Sequence, residues 1–281
     1  MAQGQPRPCI HVAVGVLRDP SGRVLISRRA PGSHQGGLWE FPGGKVDDHE
    51  DVAAALAREL EEELGVVVES ANPLLEVRYH YRDRSVLLDT WEVVRYRGRP
   101  QAREGQPLDW LAVARLSSRP FPAADLPIIE ALRLPQHYTY LAQAAPEALR
   151  AAMATGRRLF AVPADGDCRQ LLRCECVCRA MGAELLRAGQ PLAEQPAGAM
   201  GWHLPAASLR QPSALPDGGR LAATCDHDTD VQRARELGCS LVVVDTPPAR
   251  SIPFYLTAAS GYDLQTARAL GARGLFDQWP A

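Results

Sequence analysis

Residues 44–66 read GKVDDHEDVAAALARELEEELGV. The apolar positions Leu56, Leu60 and Leu64 recur at four-residue spacing, which predicts a helix over 49–64 that Gly65 stops. On that helix Glu59, Glu62 and Glu63 stand at i, i+3 and i+4 and share one face beside the leucine stripe. Glu61 points elsewhere. At about 4 Å and an effective dielectric near 20, each like-charged pair costs roughly 4 kcal/mol. Either the carboxylates spread into solvent, as acidic helix faces commonly do, or a hard cation sits among them. Mg²⁺ is the cation that prefers carboxylate oxygens, waters and substrate phosphates.

The spacing beyond the helix carries more. Gly44, five residues, Glu50, seven residues, then Arg58-Glu59-Leu60-Glu61-Glu62-Glu63-Leu64-Gly65-Val66 matches each defining position of the Nudix box. Residues 10–133 resemble the MutT-type Nudix hydrolases. The supporting segments are Ala13-Val14-Gly15, Ile26-Ser27-Arg28-Arg29, Leu38-Trp39-Glu40-Phe41-Pro42-Gly43-Gly44-Lys45, Glu104-Gly105-Gln106-Pro107 and Phe121-Pro122-Ala123-Ala124. The resemblance implies an α/β fold, an α/β/α sandwich around a mixed sheet. It implies an 8-oxo-dGTP diphosphatase that cleanses the nucleotide pool: water attacks the β-phosphorus of an oxidised purine nucleoside triphosphate and releases the monophosphate and pyrophosphate. It further implies that the Gly43 carbonyl, Glu59, Glu62 and Glu63 hold Mg²⁺ (Mn²⁺ as the alternative), with Glu104 completing the site. Glu59, Glu62, Glu63 and Glu104 are the candidate catalytic residues; Glu59 is the favoured base and Glu104 its rival. Arg29, His34, Glu40, Phe41, Pro42 and Gly43 are implied to bind the nucleotide. Glu50 and Arg58 are expected to pair and fix the loop against the helix. Lys45 faces the phosphates or only solvent.

One position departs from the family pattern. The last substrate candidate, Asp125, stands where MutT proteins have Asn. An amide donates and accepts, and so reads both O6 and the N7–H of 8-oxoguanine; an ionised carboxylate only accepts. Asp125 therefore bears on base selectivity and leaves the hydrolytic machinery alone. A buried Asp125 would suit a base with an amino group, such as an oxidised adenine; as a simpler alternative, Asp125 caps the helix that follows.

The chain of 281 residues is 46% apolar and 23% charged, ordinary for a globular protein and long enough for two domains. Its net charge is −2, which argues against a nucleic-acid coat or a polybasic membrane binder. No apolar run approaches the roughly 18 residues of a membrane span. The seven cysteines are odd in number and irregularly spaced, as expected of free thiols in the cytoplasm. Oligomeric state leaves no mark in the sequence. β-rich runs are expected at 10–18, 23–29, 74–81, 85–95 and 109–113, with a helix near 125–133. A boundary near Leu134-Pro135 divides a Nudix domain, 1–133, from a second domain, 134–281.

The second domain alternates short β-like runs (Leu159–Val162, Leu241–Val244, Phe254–Leu256) with helical stretches. Gly201-Trp202-His203-Leu204-Pro205, Ala223-Thr224-Cys225, Ala234-Arg235-Glu236-Leu237-Gly238 and Ala267–Gly274 resemble the thiamine phosphate synthase and TenI-like barrels. That implies a shortened, degenerate (β/α) barrel. The glycine pair that would cradle phosphate is replaced by Leu256-Thr257-Ala258-Ala259-Ser260, a helix is expected to be missing after Val244-Asp245-Thr246-Pro247, and the half contains no lysine. A catalytically silent barrel follows, with His203 and Cys225 as relics; the alternative is a Nudix hydrolase of another nucleotide whose second half binds a small ligand or regulates. Cys174, Cys176 and Cys178 lack a second pair for zinc and are expected to be structural thiols, with Cys174 and Cys178 together on a helix.

Overall fold

In the computed structural model, which describes residues 9–191, 200–210 and 219–278, the first strand β1 (Cys9–Leu17) is the hinge of the N-terminal unit. It runs parallel to β6 (Ser85–Arg97) and antiparallel to β4 (Gly43–Lys45), and β5 (Val67–His80) completes a mixed sheet in the order β4-β1-β6-β5. A smaller antiparallel sheet joins β3 (Trp39–Glu40), β2 (Val24–Arg28) and β7 (Leu108–Leu111). The period-2 alternation of β1 splits its side chains between two cores. Ala13 and Leu17 pack under helix α1 (Val52–Leu64); Val14 and Val16 pack under helix α2 (Leu126–Arg133). The sheet thus lies between two helical layers, the expected α/β/α sandwich.

Helix α1 starts at Val52, three residues later than its periodicity suggests. His49 adopts φ 69°, outside helical space, and the Asp51 side chain accepts from the Ala53 and Ala54 N–H groups as N-cap. Gly65, at φ 70°, ends the helix in the left-handed conformation that costs glycine little. Leu56, Leu60 and Leu64 are fully buried, each contributing roughly 1.5–3 kcal/mol. Gly15 lets the helix lie close: a Cβ there would stand 3.0 Å from Leu60 Cδ1. The strand read at 74–81 begins at Val67. Register shifts between Val68 and Ser70, Ser70 and Ala71, and Pro73 and Leu75 keep the Asn72-Pro73 segment in the sheet.

The chain divides into two compact units, Met1–Arg133 and Leu134–Ala281. The second is a closed barrel of eight parallel strands: β8 (His137–Tyr140), β9 (Leu159–Pro163), β10 (Glu184–Ala188), β11 (Gly201–Leu204), β12 (Arg220–Thr224), β13 (Leu241–Val244), β14 (Phe254–Thr257) and β15 (Gly274–Gln278). Between them lie α3 (Pro146–Ala154), α4 (Cys168–Ala180), α5 (Ala206–Arg210), α6 (Asp228–Glu236) and α7 (Leu264–Ala269). The shortening falls on the connectors and leaves the strands complete. No helix separates β13 from β14, as the sequence suggests, and α5 spans only five residues. Both faces of a strand such as Leu241–Val244 are buried, odd positions inside the barrel and even ones against the helices. On α4, Cys174 and Cys178 are buried and Cys176 is exposed.

The seam between first and last strands has its own fastening. Asp277 accepts from Thr139 Oγ1 at 2.8 Å and from Arg157 at 2.7 Å. Asp277→Ala is expected to cost about 1–2 kcal/mol, because it removes a partly buried charge-assisted pair. A lowered denaturant midpoint at unchanged slope would show it; a midpoint equal to wild type would mean that the strand ladder alone holds the seam.

Candidate active site

Phe41-Pro42-Gly43-Gly44-Lys45 leads the chain from β3 through β4 toward α1. Gly43, paired with Val14 of β1, has φ 142°, and a Cβ there would lie 2.1 Å from the Ala13 carbonyl oxygen. No side chain fits. On Gly44 a Cβ would lie 2.1 Å from Glu59 Oε2, so the Glu59 carboxylate rests directly on the backbone. The Gly43 N–H donates to Glu63 Oε2 at 3.2 Å. Two carboxylates of α1 therefore close on the two glycines.

Arg58 organises the same turn. It donates to both oxygens of Glu50 at 3.0 and 2.9 Å, to Glu59 at 2.9 Å and to the Lys45 carbonyl at 3.0 Å. Glu50 and Arg58 thus pair as their spacing predicts. The Arg58 hydrogen bonds hold the Glu50 carboxyl below the usual carboxylate range. Glu62 is exposed at the outer edge of the helix, 3.7 Å from Arg58. Glu104 is exposed on the loop after β6. It shares with Glu63, Arg29 and Glu40 the lining of a cavity of about 360 Å³. Burial pushes the Glu63 carboxyl up to about 8, and the Glu40, Glu104 and Glu59 charges push the same way. Among the described residues no three carboxylate, imidazole or thiol groups form a ready-made metal cage.

A second cavity, of about 220 Å³, adjoins the first, and Arg29 and Glu40 line both. Its lining includes His34, Phe41, Gly43 and Asp125. Arg29 pairs with Glu40 and donates to the His34 carbonyl at 2.7 Å. His34 packs edge-on against Tyr81, with ring centroids 4.9 Å apart, and its Nε2 lies 3.5 Å from Asp83. Phe41 is buried against Phe121, while Pro42, also buried, sends its carbonyl to the Gly15 N–H. Asp125 is only 6% exposed and lies in a 3-10 turn ahead of α2. Its carboxylate takes a hydrogen bond from the Phe41 backbone. Burial, reinforced by the Glu40 charge, pushes its pKa up to about 7.

Tyr81 and Arg84 also line this cavity and are not among the residues the sequence singles out. Tyr81 and Arg84 flank the tip of the β5–β6 hairpin. The gap between the β-rich runs 74–81 and 85–95 locates that tip in the chain and says nothing of the cavity it overhangs.

Residues 13–131 match the family described as NUDIX domain. The 8-oxo-dGTP diphosphatase of Escherichia coli K12 is 36% identical over 124 residues, covering 44% of this chain and 96% of that protein. The CTP pyrophosphohydrolase of the same organism is also 36% identical, over 118 residues, covering 42% of this chain and 87% of that protein. A solved MutT structure, from work on the Aliivibrio salmonicida and Vibrio cholerae proteins, is 32% identical, covers 44% of this chain and 97% of that one, and has a TM-score of 0.40.

Proposed function

Since the chain belongs to the Nudix hydrolase family through its first half, we propose that it hydrolyses 8-oxo-dGTP to the monophosphate and pyrophosphate and so clears oxidised purine nucleotides. The observation that carries this reading is the pairing of Glu59 and Glu63 on the Gly43–Gly44 backbone beside a cavity lined by Arg29, His34, Glu40, Phe41 and Asp125. The names of several relatives favour the same substrate. The CTP pyrophosphohydrolase relative and the Asp at position 125 favour a second reading, the same chemistry on another nucleotide.

The donor set suits Mg²⁺. It is all oxygen, it has no room for a side chain at the glycines, and the burial and neighbouring charges that lift Glu63 are both offset by a divalent cation. Glu59, Glu63 and the Gly43 carbonyl would hold the ion, with Glu62 and Glu104 reaching in from the edge. When bound, such an ion makes water a stronger nucleophile and neutralises charge on phosphate oxygens.

The chain's own part is placement and proton transfer. Arg58 fixes Glu59 against Gly44. Glu59 is the assigned acceptor of the water proton, and Glu104, on its loop, is the rival. Arg29 fastens the His34 loop and Glu40 at the wall between the two cavities, which orients base and phosphates in one direction. Asp125 reads the base.

Residues 1–133 are proposed as the hydrolase domain and 134–281 as a TenI-like barrel without synthase activity. No helix among the described residues is long and apolar enough to cross a membrane, and the site is proposed to work in the cytoplasm on free nucleotides. The test is steady-state hydrolysis of 8-oxo-dGTP, dGTP and CTP with Mg²⁺, with products identified. A preference for the oxidised nucleotide with release of pyrophosphate is expected. Equal rates on dGTP, or a preference for CTP, would move the substrate assignment and keep the chemistry.

A further inference from the structure

Inside the barrel, alternate residues of each strand face the axis. Tyr138, Leu159, Ala161, Leu186, Ala222, Leu241, Val243 and Tyr255 fill its middle. Beyond this layer, at the C-terminal ends of the strands, lies a cavity of about 360 Å³ walled by Tyr140 and Phe276, with Ala188, Gly189, His203, Pro205 and Thr224 also in the lining. In parallel barrels this end is where ligands are held. Among the described residues its lining includes no lysine, arginine, aspartate or glutamate. Asp245 faces the same end but is hydrogen-bonded to Thr257 at 2.5 Å.

The polar groups form one oriented chain. Tyr138 is fully buried, and its hydroxyl lies 2.6 Å from His203 Nδ1. A buried hydroxyl keeps a hydrogen-bond acceptor, so Tyr138 donates and Nδ1 accepts. The imidazole is neutral, because burial pushes its pKa down to about 4. Its proton therefore sits on Nε2, which donates to Thr224 Oγ1 at 2.8 Å. Thr224 accepts with its lone pair and keeps its own O–H to offer at the cavity.

We propose that the C-terminal mouth of this barrel binds an uncharged planar ring, slotted against Tyr140 and Phe276 and accepting a hydrogen bond from Thr224. The apolar, aromatic walls suit a ring, the described lining holds no charged side chain to neutralise a phosphate or carboxylate, and the chain of hydrogen bonds fixes a donor that a ring acceptor can meet. The proposal stands on the barrel unit alone and is independent of the hydrolase reading.

The test is an NMR titration of the full chain with quinoxaline, an uncharged ring system with two acceptor nitrogens, beside benzoate and inorganic phosphate. Quinoxaline is expected to bind and the two anions not to bind. Ala188→Phe fills the cavity and is expected to abolish binding. Thr224→Val is expected to weaken it about fivefold, the loss of one neutral hydrogen bond, while Thr224→Ser retains it. Circular dichroism separates a lost site from a lost fold, and the serine variant stands if the phenylalanine one does not fold. No quinoxaline binding, anion binding of equal strength, or quinoxaline binding indifferent to the substitutions at 188 and 224 would overturn the proposal. The last result would place the probe elsewhere, the nucleotide cavity included.

Discussion

Glu63→Gln is expected to lower kcat on 8-oxo-dGTP on the order of 10³-fold, the range in which a carboxylate that serves a divalent cation and its water contributes. The argument is geometric and electrostatic. Glu63 is tied to the Gly43 N–H at 3.2 Å and shares its cavity with Glu104, and the charges of Glu40, Glu104 and Glu59 crowd it. Glutamine has the same shape and keeps an acceptor for Gly43, so the loop stays in place. What it removes is one negative charge from the set that attracts the cation. Two readouts follow with opposite signs. In EDTA the variant is expected to unfold at a higher temperature than wild type, because the cost of burying an ionisable carboxyl, increased by the neighbouring charges, is gone. With Mg²⁺ the wild type is expected to gain stability by mass action and the variant to gain much less. An activity within tenfold of wild type, or an equal Mg²⁺ stabilisation in both proteins, would take Glu63 out of the metal site.

Helix α1 and its carboxylates are legible in the sequence because their determinants are local. The leucine stripe, the Gly65 stop and the Glu50–Arg58 pair all lie within one helix and the loop before it. The helix start is less legible, since a left-handed His49 and an Asp51 cap decide it and neither breaks the pattern of apolar residues. The β-rich run at 74–81 stops short of residues 67–73, yet bulges absorb Pro73 and β6 pairs with that segment as well. The barrel shows the opposite limit. Its strands span four or five residues, and the register that joins His137 to Leu275 brings together the two ends of the unit. No short-range pattern encodes that closure. The nucleotide site divides in the same way. Arg29 and Glu40 lie in motif segments and His34 in the short loop between them, whereas Tyr81 and Arg84 reach the cavity only because the hairpin tip folds over it. Sharing an acidic helix face likewise left open how deep each glutamate lies: Glu59 and Glu63 turn to the glycines while Glu62 stays at the edge.

Asp125→Asn is expected to change the ratio of kcat/KM for 8-oxo-dGTP over 8-oxo-dATP by about ten- to a hundredfold, and to remove its dependence on pH. Asp125 is buried in the nucleotide cavity beside Arg29 and Glu40, and its carboxyl is pushed up to about 7. Below that pH it is protonated and can donate to O6 while accepting from N7–H, the pattern of 8-oxoguanine. Above it the carboxylate only accepts, and a base offering both an amino group and N7–H is the better partner. A matched polar pair is worth roughly 1–3 kcal/mol in base discrimination, which sets the size of the change. The wild-type ratio should therefore fall as pH rises through 7, whereas asparagine, a donor and an acceptor at every pH, should hold it high. Stability follows the same group. Its folded pKa is raised from 3.8, so the stability it contributes is fully present below that value and is lost as pH rises through about 7. Asparagine does not ionise, so the variant should gain on wild type at pH 8, keep only part of that advantage at pH 5 and lose it below 3.8. A selectivity ratio that is the same in both proteins, or that keeps its slope with pH in the variant, would show that Asp125 lies in the cavity without reading the base.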